Sequence, residues 1–562
     1  MNTRPIDNDP LAPALTPAAW PLVAWTRYTA DAWWRGIAAM DTLRQRADNM
    51  LDHEAAGMPP LLHFDAEPVA NARDFASPCN YRLLRITRCG TDRLERHVRR
   101  DSAPVIVVDP RAGHGPGIGG FRRDSEVGMA LLEGHPVYFV VFDPEPVAGQ
   151  TMGSVVEALA RFIDIVAERH RARAPIIYGN CQGGWAVALA LSHCNREAGL
   201  AVLNGSPLSY WAGEADVNPM RLMGGLVGGV WPAHLAADLG HGHFDGAWLV
   251  QNFEALRPEG VWKKYDQVFA EPQHEKARFL EFERWWNGFY KLGREEILSI
   301  IRDLFIGNRV EQGVVVVDGH CRADLSQIRT PLVIFCSYGD NITPPSQALA
   351  WLKTVFGSTE GLVGAGQRVV YLLHEHVGHL GIFVSADVAR REHRAILHHA
   401  SVIQALPPGL YEMKLESAAR TEDADRATFE PRRIEDLPFE PRPAAFERVA
   451  EVSRQLDALY TQWLSPFVQQ LGSPATARWL EAWHPMRTSR LMWSERVAPA
   501  AALFPILAWA GQTLGLSDEE RAFNPWYRAE RSAADGIGKY IESWRHLRDR
   551  IAEMAFQSLY GT

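Results

Sequence analysis

The stretch that decides the fold is Pro175-Ile-Ile-Tyr-Gly-Asn-Cys181-Gln-Gly-Gly-Trp-Ala-Val-Ala-Leu-Ala190. Its apolar start, Ile176 to Tyr178, is typical of a buried strand, and Trp185 to Leu191 is typical of a helix. Between them, the residues have the G-x-S-x-G form of a nucleophile elbow, with Cys181 in place of serine. Gly179, Gly183 and Gly184 fit that role, because a Cβ on either side of the nucleophile would strike a neighbouring element. The alternative is a buried cysteine in an ordinary strand-to-helix connection.

Composition indicates a globular protein and argues against several functional classes. The 562 residues are 47% hydrophobic and 22% charged, as in ordinary globular proteins. A net charge of −9 provides no basic excess for nucleic acid. The 6 cysteines are scattered, which indicates a reducing compartment and neither a disulfide framework nor a thiolate zinc site. Because the sequence shows neither a secretory signal nor a long apolar run, we expect a cytoplasmic protein without a transmembrane segment.

The pattern along the chain predicts an α/β core with helical additions. Continuous apolar runs, typical of strands buried on both faces, alternate with helical patterns. The runs lie at 105–108, 137–142, 200–204, 331–336 and 368–373. The predicted organisation is an N-terminal helical segment (1–60), an α/β domain (79–400) with a helical cap insertion at about 207–313, a linker (416–442) and a C-terminal helical region (443–562). A cap of that size would exclude water from a site beneath it.

The first predicted helix, from Ala18 to about Leu51, has an apolar stripe. Its members recur at three- and four-residue steps: Leu22, Trp25, Trp33, Ile37, Met40 and Leu43. Docking on the main domain or self-association is the simplest interpretation. With 19 tryptophans in the chain, adsorption to a lipid or polymer surface is the alternative.

Two later strands are followed by the partners that a nucleophile needs. Strand 331–336 leads into Ser337-Tyr-Gly-Asp340, and strand 368–373 leads into His374-Glu-His-Val-Gly-His379. Active-site residues of open α/β sheets lie at the carboxyl ends of strands. The order nucleophile, acid, histidine is that of α/β-hydrolases. We therefore predict an α/β-hydrolase fold with a triad of Cys181, Asp340 and His379, in which Asp340 orients the imidazole.

Three other interpretations of these motifs stay open. Asp340 also suits an Asx-turn. The histidines around His379 could indicate a metal, but Gly378 stands where H-E-x-x-H requires its second histidine, so we expect no metal. Gly115, Gly117 and Gly120 form G-x-G-x-x-G, which is found in dinucleotide sites. Because several residues separate this motif from the end of the preceding strand, it fits such a site poorly, and no cofactor is expected.

An oxyanion hole should complete the site with two backbone N–H donors. Gln182, which follows the nucleophile, should supply one donor. Arg111, in the loop after strand 105–108, should supply the other. A cysteine nucleophile would exchange one thioester for another and keep the acyl group activated, whereas serine would form a more stable oxyester. The sulfur therefore favours acyl transfer over hydrolysis.

These motifs resemble those of polyhydroxyalkanoate synthases, which carry a lipase-like box of the form G-x-C-x-G-G. The likeness covers roughly residues 80 to 395, including Phe253-Glu-Ala-Leu-Arg257-Pro258, Asp324-Leu-Ser-Gln-Ile-Arg-Thr-Pro331 and Gly378-His379-Leu. The chain is more similar still to a bacterial branch labelled 3-hydroxyalkanoate synthetase-like. It departs from the synthases at Trp185, in the glycine-rich loop and in its helical tail.

The resemblance implies an acyltransferase that acts on 3-hydroxyacyl-CoA through Cys181, Asp340 and His379. One alternative is a thioesterase or polyhydroxyalkanoate depolymerase that uses the same triad. Another is a non-catalytic protein associated with granules or lipid. The expected partners are an acyl-CoA substrate, with a homodimer and a polymer granule or lipid surface as further candidates.

Overall fold

The computed structural model describes residues 20–90, 92–171, 173–192, 198–317, 322–416, 424–441 and 444–561. These residues form two compact units. The first takes the described residues of Met1–Met58, Gln251–Gly288 and Ala482–Arg548. The second takes those of Pro59–Val250, Phe289–Glu481 and Asp549–Thr562.

The second unit is built on a mixed sheet of ten strands. They are β1 (Asp65–Asn71), β2 (Tyr81–Arg88), β3 (Val105–Val108), β4 (Val137–Phe142), β5 (Ile176–Asn180), β6 (Leu200–Asn204), β7 (Leu332–Ser337), β8 (Arg368–His374), β9 (Gly409–Glu416) and β10 (Arg426–Arg432). Their order across the sheet is β1-β2-β4-β3-β5-β6-β7-β8-β9-β10. The pairs from β4 to β9 are parallel, and β1, β2 and β10 are antiparallel to their neighbours. The chain thus has an α/β-hydrolase fold, extended at one edge by β9 and β10.

The central strands lie where the apolar runs predict them. Every residue of β3, β4, β5, β6 and β7 is buried, as expected for strands covered on both faces. The predicted bounds of β3, β4 and β6 match the structure, and those of β7 and β8 differ by one residue. The fold class predicted from the sequence is confirmed.

Helices make up most of the remaining described chain. They are α1 (Trp20–Ala55), α2 (Glu126–Leu132), α3 (Met152–Arg169), α4 (Gln182–Ser192), α5 (Met220–Leu226), α6 (Trp231–Leu239), α7 (Ala247–Leu256), α8 (Pro258–Ala270), α9 (Pro272–Trp286), α10 (Arg294–Ile300), α11 (Pro345–Leu349), α12 (Trp351–Phe356), α13 (Thr359–Gly364), α14 (His379–Val384), α15 (Ala386–Val388), α16 (Arg394–His398), α17 (Ala400–Ala405), α18 (Ala444–Leu459), α19 (Ser465–Leu471), α20 (Pro474–Ala482), α21 (Pro485–Leu491), α22 (Phe504–Ala510), α23 (Asp518–Phe523) and α24 (Pro525–Tyr560). Two-stranded ribbons pair His243–Asp245 with Lys291–Gly293 and Val315–Val316 with Arg322–Ala323. None of the described helices has the length and apolarity needed to cross a bilayer.

The structure differs from the irregular linker predicted over 416–442. Within that range, β10 pairs antiparallel with β9 along seven residues. Ala427 and Phe429 are half-buried while most of their neighbours are exposed. An edge strand with one solvated face has the charged composition of a linker, which explains the wrong prediction. Part of the predicted linker (417–423 and 442) lies outside the described residues.

The buried face of α1 also differs from its apolar stripe. Leu22, Trp25 and Trp33 are exposed, whereas Asp31 and Arg35 are fully buried. Arg35 pairs with Asp31 at 2.7 Å and with Glu530 at 2.7 Å, and its guanidinium lies 4.6 Å from the centre of the Phe269 ring. Charged residues can occupy a buried face when their charges are paired in this way. Hydrophobic periodicity alone therefore selected the wrong side of this helix.

Candidate active site

Cys181 lies on a sharp turn between β5 and α4. Its φ is +50°, a left-handed conformation that is strained for a residue with a side chain. Two backbone hydrogen bonds hold the turn. The Cys181 N–H donates to the carbonyl of Asn204 at 2.8 Å, and the Gly184 N–H donates to the carbonyl of Cys181 at 3.0 Å. The cysteine therefore has the strained backbone of a nucleophile elbow.

The three glycines of the elbow are required by close contacts. A Cβ on Gly179 would lie 2.5 Å from the Cα of Gly184, and one on Gly183 would lie 2.6 Å from the carbonyl oxygen of Val108. A Cβ on Gly184 would lie 1.8 Å from the Oγ of Ser206. Each distance is shorter than a Cβ can tolerate, so the motif satisfies the sterics of this turn.

Asp340 and His379 meet above the carboxyl ends of β7 and β8. The Nδ1–H of His379 donates to Oδ2 of Asp340 at 2.7 Å. The other carboxylate oxygen, Oδ1, accepts from the N–H groups of Ile342 at 2.8 Å and Thr343 at 2.9 Å. Asp340 therefore forms an Asx-turn and also orients the imidazole, so the two sequence-based interpretations of this residue are compatible.

The thiol of Cys181 interacts with the same imidazole. His379 and Asp340 are both buried, and the electrostatics of the imidazole depend on Cys181 as well as on Asp340. Burial by itself lowers the pKa of His379, but the charges of Asp340 and Cys181 and the hydrogen bond to Asp340 outweigh it. Together they raise the pKa from 6.5 to about 10. An imidazole with this pKa retains a proton taken from the sulfur at neutral pH.

The two residues predicted to supply oxyanion donors contact each other, and the N–H group of one of them already has an acceptor. Gln182 is the first residue of α4, directly after the nucleophile. The backbone N–H of Arg111 donates to Oε1 of the Gln182 side chain at 2.7 Å. The structure thus brings the predicted residues together, but the Arg111 N–H is occupied by a side chain.

Glu126, on α2, is a buried carboxyl beneath the elbow that the sequence did not reveal. Its Oε2 accepts from Nδ2 of Asn180 at 2.6 Å, and its Oε1 accepts from Nδ2 of Asn204 at 3.1 Å. These asparagines end β5 and β6, so Glu126 joins the two strand ends that hold Cys181. Burial, with a further contribution from Asp109, raises the pKa of Glu126 to about 8, although the asparagines oppose the shift.

The glycine-rich loop is packed too closely to cradle a dinucleotide. Asp109 accepts the N–H groups of Gly117 at 2.6 Å and Gly119 at 3.1 Å, which folds the loop back on the end of β3. A Cβ on Gly115 would lie 2.6 Å from the Tyr290 ring, and one on Gly117 would lie 2.6 Å from the carbonyl oxygen of Leu61. The glycines therefore allow the loop to pack closely against its neighbours.

Of the two histidines just before His379, one closes a turn and the other faces solvent. Nδ1 of His374 accepts the N–H groups of His376 and Val377, both at 3.1 Å, and so closes the turn after β8. The side chain of His376 is 86% exposed. No group of three metal-ligating side chains comes together anywhere in the described part of the chain.

With this geometry in view, comparison with known proteins places the chain in a family. The model of a family described as "Protein of unknown function (DUF3141)" matches residues 31–562. The chain belongs to the DUF3141 family. A Rhizobium meliloti protein, described as an uncharacterized protein in the ackA 5' region, is 39% identical over 563 residues. The match covers 95% of this chain and 74% of the relative.

Solved structures that resemble this DUF3141 protein include hydrolytic enzymes. A thermophilic esterase from Thermogutta terrifontis is 12% identical with a TM-score of 0.33, over 60% of this chain and 100% of the esterase. A monoacylglycerol lipase from Paleococcus ferrophilus is 15% identical with a TM-score of 0.31, over 54% of this chain and 96% of the lipase.

Proposed function

We propose that this DUF3141 protein is a cysteine-dependent acyltransferase that takes acyl groups from 3-hydroxyacyl-CoA thioesters. The observation that carries the proposal is the position of His379, which is hydrogen-bonded to the carboxylate of Asp340 and electrostatically coupled to the thiol of Cys181 on the nucleophile elbow. This is the arrangement that generates a thiolate nucleophile. The choice of 3-hydroxyacyl-CoA rests on the sequence resemblance to polyhydroxyalkanoate synthases.

The proposed reaction has two halves. First, His379 takes the thiol proton, and the Cys181 sulfur attacks the thioester carbonyl. The resulting oxyanion is stabilised by backbone N–H donors, of which Gln182 supplies one. Collapse breaks the bond to the CoA sulfur, which leaves with the proton from His379, so the acyl group is now on Cys181. Next, His379 deprotonates an acceptor hydroxyl, which attacks the acyl-cysteine and regenerates the thiol.

A hydrolase that uses the same residues is the second candidate, and the α/β-hydrolase fold favours it. In that case water replaces the acceptor hydroxyl in the second half-reaction, and the product is a free acid. Sulfur at the elbow argues for transfer, because a thioester intermediate remains activated toward an alcohol acceptor.

Intact-mass measurement after mixing the chain with 3-hydroxybutyryl-CoA tests the first half-reaction. We expect an acyl adduct and release of CoA with the wild type, and neither with Cys181→Ala. Cys79→Ala is the matched control, because burial raises the pKa of that thiol to about 12. Undiminished CoA release by Cys181→Ala would disprove the proposal. The products separate the two candidates, because an oligomeric ester indicates transfer and free acid alone indicates hydrolysis.

An apolar row in the C-terminal region supports a further role at the surface of a cytoplasmic polymer granule. Leu459, Trp463, Phe467 and Leu471 recur at four-residue steps and are 54%, 62%, 68% and 67% exposed. Such a row suits an apolar surface. The fraction of protein that sediments with polyester granules should fall in the double variant Trp463→Ala, Phe467→Ala. A loss of dimer in place of granule binding would instead identify the row as a homodimer contact, and binding only to phospholipid vesicles would identify a lipid surface.

A further inference from the structure

We propose that the side chain of Gln182 is a plug in the oxyanion hole, which an incoming acyl donor must displace. The inference rests on the proposed acyl-transfer function and concerns its first step. Its basis is the 2.7 Å hydrogen bond from the Arg111 N–H to Oε1 of Gln182. The same residue thus presents its backbone N–H as one predicted donor while its side chain covers the other.

The Arg111 N–H cannot bond to the Gln182 side chain and to an oxyanion at the same time. An oxyanion hole requires donors about 2.7–3.1 Å from the position of the developing oxyanion. At 2.7 Å and within hydrogen-bonding geometry, Oε1 already occupies the acceptor position of the Arg111 N–H. A backbone N–H has one proton to donate, so the substrate oxygen cannot bond to it well while the amide remains.

The Gln182 side chain, and not the loop that carries Arg111, is free to move. The Arg111 guanidinium is buried and donates to Oδ1 of Asn80 at 2.8 Å and to the carbonyl of Lys291 at 2.8 Å. It also pairs with Glu296 at 2.9 Å. Gln182 is half-buried, and within the described part of the chain its amide has this one hydrogen bond. Rotation about its side-chain bonds would therefore open the hole without disturbing the loop.

A plug of this kind selects among acyl donors. Displacing it costs one hydrogen bond, which lowers the acylation rate roughly two- to tenfold unless other contacts compensate. A CoA thioester can gain binding energy from its nucleotide and pantetheine portions, whereas a small activated ester has little beyond the reacting carbonyl. The plug therefore favours large thioesters over small esters.

The test compares single-turnover acylation of Gln182→Met and Gln182→Glu, each made in the whole 562-residue chain. Methionine keeps the length of the side chain but lacks a strong acceptor, and a carboxylate accepts more strongly than an amide. With p-nitrophenyl acetate, we expect Gln182→Met to be roughly two- to tenfold faster than the wild type and Gln182→Glu to be slower. The preference for 3-hydroxybutyryl-CoA over the ester should fall in Gln182→Met. The exposed Gln455→Met on α18 is the control. If Gln182→Met acylates no faster than the wild type, the plug is refuted.

Hydrogen exchange of the Arg111 amide tests the plug without relying on catalysis. The amide should be protected in the wild type and exchange about tenfold faster in Gln182→Met. Equal exchange in both proteins overturns the plug, whatever the activity. Faster exchange in a chain that forms no acyl adduct supports the plug and refutes acyl transfer, so the two proposals can fail separately.

Discussion

Replacing Asp340 with asparagine should slow the alkylation of Cys181 by roughly ten- to hundredfold. The bond between Nδ1 of His379 and Oδ2 of Asp340 is 2.7 Å long and buried. A hydrogen bond to a charged group contributes about 1.5–3 kcal/mol, and each 1.36 kcal/mol is tenfold in rate. The substitution is mild, because asparagine keeps an oxygen that can accept the N–H groups of Ile342 and Thr343.

The assay is the pH dependence of iodoacetamide alkylation, read by peptide mass at Cys181. Because the pKa of His379 is raised to about 10, the imidazolium that stabilises the thiolate is present at neutral pH and is lost only as the pH rises toward that value. The excess of the wild-type rate over the Asp340→Asn rate should therefore be largest near neutral pH and should shrink as the pH approaches that value. In Asp340→Asn the rate should be low at pH 6 and should rise with pH, because His379 no longer holds the proton strongly.

Buried thiols provide the internal reference for this experiment. Cys79 and Cys336 are fully buried, and burial raises the pKa of Cys79 to about 12. Neither should react before Cys181 in either protein, and their alkylation would report unfolding. A folded Asp340→Asn variant whose Cys181 reacts at the wild-type rate and with the wild-type pH profile would rule out this role of Asp340.

Three further predictions concern stability. Glu126→Gln should gain in Tm relative to the wild type as the pH rises from about 5 to 9, by several degrees in thermal melts. Burial raises the pKa of the Glu126 carboxyl from 4.5 to about 8. The stability that this carboxyl contributes at low pH is therefore lost as the pH rises through the folded-state pKa. A Tm difference that does not change with pH would contradict this. Gly184→Ala should lower the free energy of unfolding in urea by about 1–3 kcal/mol, since its Cβ would lie 1.8 Å from a side-chain oxygen. The control is Gly536→Ala, which should be neutral or stabilising because a Cβ on Gly536 meets nothing within 4 Å. Arg35→Met should cost about 3–5 kcal/mol in urea unfolding, because it leaves Glu530 without its 2.7 Å partner, and a cost below about 1 kcal/mol would count against the buried pair.

The sequence predicted those parts of the fold in which apolar residues are continuous. Strands β3, β4 and β6 are such runs, and their ends place the nucleophile turn and the acid and histidine loops. The edge strands were missed because Asp65–Asn71 and Arg426–Arg432 are polar on one side, like loops. Burial of Asp31 and Arg35 could not be inferred from periodicity, since paired charges on a buried face do not follow a hydrophobic stripe.

In the site, too, motif order predicted some residues, whereas others are revealed only by their contacts. Motif order brought Cys181, Asp340 and His379 together, because each follows a strand of the same sheet. Glu126 was missed because an acid in the first turn of a helix usually reports the helix dipole, not a buried contact. The Gln182 bond could not be foreseen, because a side chain that binds a backbone N–H from another loop leaves no periodic signal in the sequence.

The two edge strands of the sheet disfavour pairing with a strand from another copy of this protein. Each outer strand contains a proline, Pro68 in β1 and Pro431 in β10, which has no N–H to offer to an added strand. Both strands also carry charged residues, among them Glu67 on β1 and Glu430 on β10. Edges of this kind resist the strand-to-strand joining that begins aggregation. High concentrations of folded protein should therefore not convert to cross-β fibres by growth from either edge of the sheet.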